Sequence, residues 1–238
     1  MHYRQMLAAM VGIAAWLPER NTVFMNSKTQ KSSIAGPAGA LEIAVDLPAG
    51  APCGIAVIAH PHPLFGGTLD NKVVQTLARA FVQSGWTAVR FNFRGVGGSA
   101  GSHDEGRGEL EDLLAVVQHT APAGEEQAAL ALAGFSFGAF VTTHAFARLQ
   151  AQRPIEKLVL VGTSVSRSPA APIDTAAHSR TLVVHGEQDD TVLLSDVMDW
   201  ARPQSLPVTV VPGVGHFFHG QLPLLKALVI RHLASPVH

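Results

Sequence analysis

From about residue 30 onward, short unbroken apolar runs alternate with longer stretches whose apolar residues recur every three or four positions. No other feature limits the possible folds so strongly. A run such as Ile55-Ala56-Val57-Ile58 is apolar at every position, so both faces of the strand it forms must be covered. Its strand is expected over 54–59, with further strands at 87–93, 129–133, 157–161, 181–184 and 208–211. Between them, residues 71–83 place Val73, Val74, Leu77 and Phe81 at helical spacing, and 109–119 do the same with Leu110, Leu113, Leu114 and Val117. Helices are also expected at 139–149, 194–201 and 222–233, and a leading hairpin at 34–35 and 41–45. This order predicts an α/β fold, a doubly wound and mostly parallel sheet with helices on both faces. The interval from Val161 to Thr181 is too short for a cap domain, so a site above the sheet should open to solvent.

The totals exclude several classes of protein. A length of 238 residues, 47 % of them hydrophobic and 15 % charged, fits one globular α/β domain. A formal charge of −1, with Lys and Arg scattered, argues against a nucleic-acid partner. One cysteine, Cys53, cannot form an internal disulfide, and its place ahead of a strand reads as small packing. No repeat or linker divides residues 28–238, which are read as one domain. Residues 1–27 are read as an extension, disordered or part of an over-long start. Within it Arg4 and the apolar stretch from Met6 to Trp16 resemble a signal-peptide core, but the stretch is too short to span a bilayer. No small-x-small cleavage pattern follows, and Met25 opens a polar leader. The expectation is a cytoplasmic protein without a membrane partner, with export left open by the apolar stretch.

Gly134-Phe135-Ser136-Phe137-Gly138 matches the G-x-S-x-G nucleophile elbow, in which a tight strand-to-helix turn lifts a serine above the sheet edge. Small residues two before and two after the serine let strand and helix approach. Gly97-Gly98-Ser99-Ala100-Gly101 matches the same pattern, but Ser102-His103-Asp104-Glu105-Gly106 follows and cannot open an apolar helix. Ser99 is therefore read as part of a flexible surface loop. A serine hydroxyl needs a base held against it. His185-Gly186-Glu187-Gln188-Asp189 follows one expected strand, and Pro212-Gly213-Val214-Gly215-His216 follows the next. Three loops at strand C-termini, in the order Ser136, Asp189, His216, are the arrangement this fold uses. Asp190 adjoins Asp189 as an alternative acid, and His219 follows His216 as an alternative base.

An oxyanion hole should draw one backbone N–H from Phe137 and a second from His60-Pro61-His62-Pro63-Leu64-Phe65-Gly66-Gly67. Proline has no N–H, which leaves His62 first and Leu64 second. His60 and His62 form a His-x-His pair, but no carboxylate or cysteine completes a metal site by spacing, so no metal or other cofactor is expected. Their rings are read as holding the loop through backbone carbonyls. Gly95 to Ala100 loosely match a dinucleotide fingerprint but do not open a helix, and are read as a loop at the site's rim.

Taken together, His60-Pro61-His62-Pro63 with Gly66-Gly67, Asn71-Lys72-Val73-Val74, Arg90-Phe91-Asn92-Phe93-Arg94-Gly95-Val96-Gly97, the Gly134–Gly138 motif and Gly215-His216-Phe217-Phe218-His219-Gly220 resemble a family of small, lidless bacterial α/β-hydrolases. The likeness spans roughly residues 30 to 235. It implies a cytosolic serine hydrolase, an esterase, with Ser136, Asp189 and His216 as its triad, and an open site with few aromatics favours a small acyl ester as substrate. A thioesterase would use the same groups, and a binding module on a hydrolase scaffold is the alternative of a different class.

Overall fold

The structure is a computed structural model that describes residues 29–124, 128–166 and 169–235. The expected extension at 1–27, with its apolar stretch, lies outside the described residues. Strands β1 (Thr29–Gly36), β2 (Gly39–Asp46), β3 (Ile55–Ala59), β4 (Thr87–Phe91), β5 (Leu130–Phe135), β6 (Lys157–Val161), β7 (Thr181–Gly186) and β8 (Val208–Val211) form one sheet. Their order is β1-β2-β4-β3-β5-β6-β7-β8. β1 and β2 form an antiparallel hairpin, β2 is antiparallel to β4, and every pair from β4 to β8 is parallel.

The helices are α1 (Lys72–Gln83), α2 (Arg107–Thr120), α3 (Phe137–Leu149), α4 (Leu194–Ala201) and α5 (Leu222–Ala234). The central strands divide their side chains between two cores, as a sheet covered on both sides requires. Ile55 and Val57 of β3 join Leu130 and Leu132 of β5 under α2, α3 and α4. Ala56 and Ile58 join Ala131, Ala133 and Phe135 under α1 and α5. The alanines on this second face leave room for Phe81 and Trp86, whose rings meet edge to face. Asn71 caps α1 by accepting the N–H groups of Val73 and Val74.

Three departures from the expected bounds have identifiable causes. β4 ends at Phe91, not at 93, because the Phe93 N–H turns out of the ladder and donates to the His60 ring at 3.0 Å. α3 begins at Phe137, two residues before its apolar pattern shows, because the helix starts at the turn itself with Ser136 as N-cap. α2 begins at Arg107, where the buried Glu109 carboxylate accepts the N–H groups of Asp104 (2.9 Å) and Gly106 (2.8 Å).

The loop after β4 is tied down from two sides. Asp112 of α2 takes Arg94 in a two-pronged ion pair and also accepts the Arg94 N–H. From the hairpin, Glu42 accepts the Asn92 amide at 2.8 Å and the Gly98 N–H at 2.9 Å. Arg90, buried in β4, reaches Asp46 of β2 and Asp70 ahead of α1. Between β6 and β7 the described residues hold one short 3-10 turn, Thr175–Arg180, and no cap.

Candidate active site

Loops from the C-terminal ends of β5, β7 and β8 meet above the sheet. Ser136 ends the first. Its φ of 58° lies in the left-handed region, which a residue with a Cβ enters at a cost of about 1–3 kcal/mol. Close packing holds the turn. A Cβ on Gly138 would stand 2.4 Å from the His60 carbonyl oxygen, and one on Gly134 would stand 2.5 Å from the Gly138 backbone. The Ser136 N–H donates to the Val161 carbonyl at 2.8 Å.

His216 approaches from the loop after β8, where its Nε2 lies 2.9 Å from Ser136 Oγ. The opposite ring nitrogen, Nδ1, lies 2.7 Å from Asp189 Oδ2. All three side chains are buried. The β7 and β8 loops are stitched together, with the Gln188 N–H on the Val214 carbonyl and the Gly213 N–H on the Glu187 carboxylate. The second oxygen of Asp189 accepts the N–H groups of Thr191 (3.0 Å) and Val192 (2.8 Å), so the carboxylate cannot rotate away from the ring. Burial alone would push the Asp189 carboxyl up. The His216 hydrogen bond, the Val192 N–H and the charge of two nearby imidazoles outweigh it and hold the group below the usual carboxylate range.

The neighbouring candidates stand elsewhere. Asp190 is exposed, as is His219, whose ring rests near Phe217. Ser99 corrects the expectation of a surface loop. It is buried, accepts the Glu42 N–H at 2.9 Å and donates to the Asn92 carbonyl at 2.7 Å, and so is committed to the stitching of its own loop. Cys53 is exposed rather than packed.

Beside Ser136, Phe137 occupies the first position of α3, where a backbone N–H has no intrahelical acceptor. The loop after β3 passes the same point. His60 is buried, with Nδ1 2.6 Å from the Pro61 carbonyl and Nε2 accepting from Phe93, so both nitrogens are occupied by backbone. Burial brings its pKa down to about 4, against the partial opposition of the Pro61 hydrogen bond, and the ring is neutral near pH 7. Pro63–Phe65 forms a single 3-10 turn in which the Leu64 N–H donates to His62 Nδ1 at 3.2 Å. That bond turns the Leu64 N–H back into its own turn. An open cleft of about 540 Å³ borders this region, with His62, Phe65, His103, Phe137, Phe140 and Ser164 among its lining.

Sequence reasoning missed two histidines near this region. His185 is fully buried behind Asp189, with Nε2 on the Val192 carbonyl at 2.9 Å and 3.6 Å from Asp189 Oδ2. His103 pairs with the buried Glu109. The spacing of six residues from His103 to Glu109 carries no recognised signature, and only the turn into α2 brings them together.

Residues 65–188 match the family described as "Serine aminopeptidase, S33". An uncharacterized protein of Rickettsia prowazekii is 32 % identical, over 69 % of this chain and 71 % of the relative. Among solved structures, a serine hydrolase without lid from Xanthomonas campestris is 34 % identical, with a TM-score of 0.74. It covers 90 % of this chain and 100 % of its own. A serine hydrolase homologue from Coxiella burnetii is 38 % identical at a TM-score of 0.73, with the same coverage.

Proposed function

The chain belongs to the serine aminopeptidase S33 family, as a small lidless α/β serine hydrolase, and from that premise we propose that it cleaves a carboxylic ester by two-step acyl transfer through Ser136, His216 and Asp189. The observation that carries this reading is the unbroken hydrogen-bonded line from Ser136 Oγ through both nitrogens of His216 to Asp189 Oδ2.

In the first step His216 Nε2 takes the hydroxyl proton as Ser136 Oγ bonds to the ester carbonyl carbon. Asp189 holds the opposite nitrogen protonated and steadies the imidazolium. The oxyanion forms against the Phe137 N–H, at the positive end of α3, and against the His62 N–H. Leu64 is the second candidate for that place, and its N–H donates to His62 Nδ1. Collapse breaks the bond to the alcohol oxygen, which leaves with the proton from His216. Water then attacks the acyl-serine, gives its proton to His216, and the acid departs as Ser136 recovers its own.

An ester fits this site better than a peptide with a free amino end. A substrate ammonium needs an uncommitted carboxylate, and those at the cleft are taken. Asp104 and Glu105 are paired with Arg107, and Glu109 with two backbone N–H groups and His103. A non-catalytic binding module would have no use for a serine held at a strained φ against an imidazole.

A fluorophosphonate probe tests the reading. Wild-type protein should label and then lose hydrolysis of p-nitrophenyl esters, and Ser136→Ala should neither label nor hydrolyse them. An unlabelled wild type would favour the binding module, and a labelled Ser136→Ala protein would move the nucleophile elsewhere.

A further inference from the structure

A second carboxylate–imidazole pair stands at the cleft, apart from the one formed by Asp189 and His216. Glu109 is fully buried, and both of its carboxyl oxygens already accept backbone N–H groups, from Asp104 and Gly106. His103 Nδ1 lies 2.7 Å from Oε1. A carboxylate can only accept and so leaves the ring the donor's part, which puts a proton on Nδ1, and in that tautomer of the imidazole the lone pair is on Nε2. Closing the turn into α2 requires the two backbone bonds and not the ring. Among the described residues Nε2 has no hydrogen-bond partner.

The ring stands where a substrate would lie. His103 lines the cleft, its centroid 4.7 Å from that of His62 and 5.6 Å from that of Phe137, the residue directly after Ser136. Around it Leu64, Phe65, Phe137 and Phe140 supply apolar surface, with His62 and Ser164 as the other uncharged polar side chains of the lining. The charges at the rim are matched, since Arg107 is 2.9 Å from Asp104 and 3.4 Å from Glu105. A charged substrate group would find its partners already taken, whereas a neutral donor would find Nε2.

The geometry points to His103 Nε2 as the acceptor for a hydroxyl on the substrate, so that the preferred class is an ester whose cleft-bound group is apolar apart from one hydroxyl. The inference rests on the esterase reading above. The hydroxyl could sit on the acyl or on the alcohol portion, and the test has an arm for each.

The rates to compare, by acid release in a pH-stat, are those of methyl 3-hydroxybutyrate against methyl butyrate and of 4-hydroxybutyl acetate against butyl acetate. One neutral hydrogen bond should raise kcat/KM for the hydroxylated member of one pair by about five-fold in the wild type. His103→Phe should bring that ratio to about one. His103→Gln, which keeps an acceptor on the same stem, should keep part of it and supplies the measurement if His103→Phe does not fold. The ratio is the readout, so any general loss from disturbing Glu109 divides out. Equal rates within both pairs in the wild type would overturn the inference and leave the esterase reading standing. So would a preference that survives in His103→Phe. No turnover of any of the four esters would remove both.

Discussion

At the scale of single residues, the site depends on how Asp189 is held. Its two oxygens have separate duties, one on His216 and one on the N–H groups of Thr191 and Val192. Asp189→Asn would present an amide where the ring nitrogen needs an acceptor. It should lower kcat for p-nitrophenyl esters by about 10⁴-fold with the fold retained. Asp190→Asn, at an exposed position, should stay within about two-fold of wild type. Steady-state kinetics of the two variants side by side would decide between the adjacent acids. Likewise Ser136→Ala and His216→Ala should each cost several powers of ten, with the double variant little worse than either single one. Additive losses would mean that the two side chains do not act as a unit. The positions of Ser136, Asp189 and His216 were legible because each follows an apolar strand, and strand ends on one sheet edge converge. His185 and the His103–Glu109 pair were not legible, because their partners are brought together by turns with no sequence periodicity.

Among the elements, the junction of β5 with α3 carries the tightest packing near the site. Gly138 faces the backbone of Ala59 and His60 so closely that no flexible side chain can yield. Gly138→Ala should therefore lower stability by about 1–3 kcal/mol and reduce ester turnover together. A urea melt and a rate assay on the same sample check this. Gly124, where a Cβ would meet nothing within 4 Å, is the control, and Gly124→Ala should change neither. Most strands and helices could be read from the apolar runs, since burial on both faces leaves a continuous pattern and burial on one face a helical one. Their ends could not. β4 stops where the His60 ring captures an N–H, and α2 starts where Glu109 gathers two, and both are choices made by side chains remote in sequence or unmarked by pattern.

Over the whole molecule, buried neutral histidines set an acid limit on stability. Burial holds His60 and, with the nearby Lys157, His232 down to about 4. In the unfolded chain both would titrate near about 6.5. The unfolded state therefore binds protons first as pH falls. Stability from these groups is full above about 6.5 and is lost progressively from there down to about 4. At pH 5 the loss should be about 2 kcal/mol for His60 and less for the partly exposed His232. The urea midpoint should fall between pH 7.5 and pH 5.0, and an unchanged midpoint would contradict this account. Among the described residues no helix is long and apolar enough to cross a membrane.

The β1–β2 hairpin sits at the border of the sheet, where it looks dispensable. Yet Glu42 within it grips Asn92 and Gly98, and its backbone N–H holds Ser99. The hairpin is thus a splint for a loop that the parallel strands alone do not support. A shortened chain starting at β3 would keep the hydroxyl, imidazole and carboxylate of the central strands. It would leave the neighbouring glycine-rich span anchored on one side only, through Arg94 and Asp112, and the enzyme's choosiness should suffer before its chemistry does.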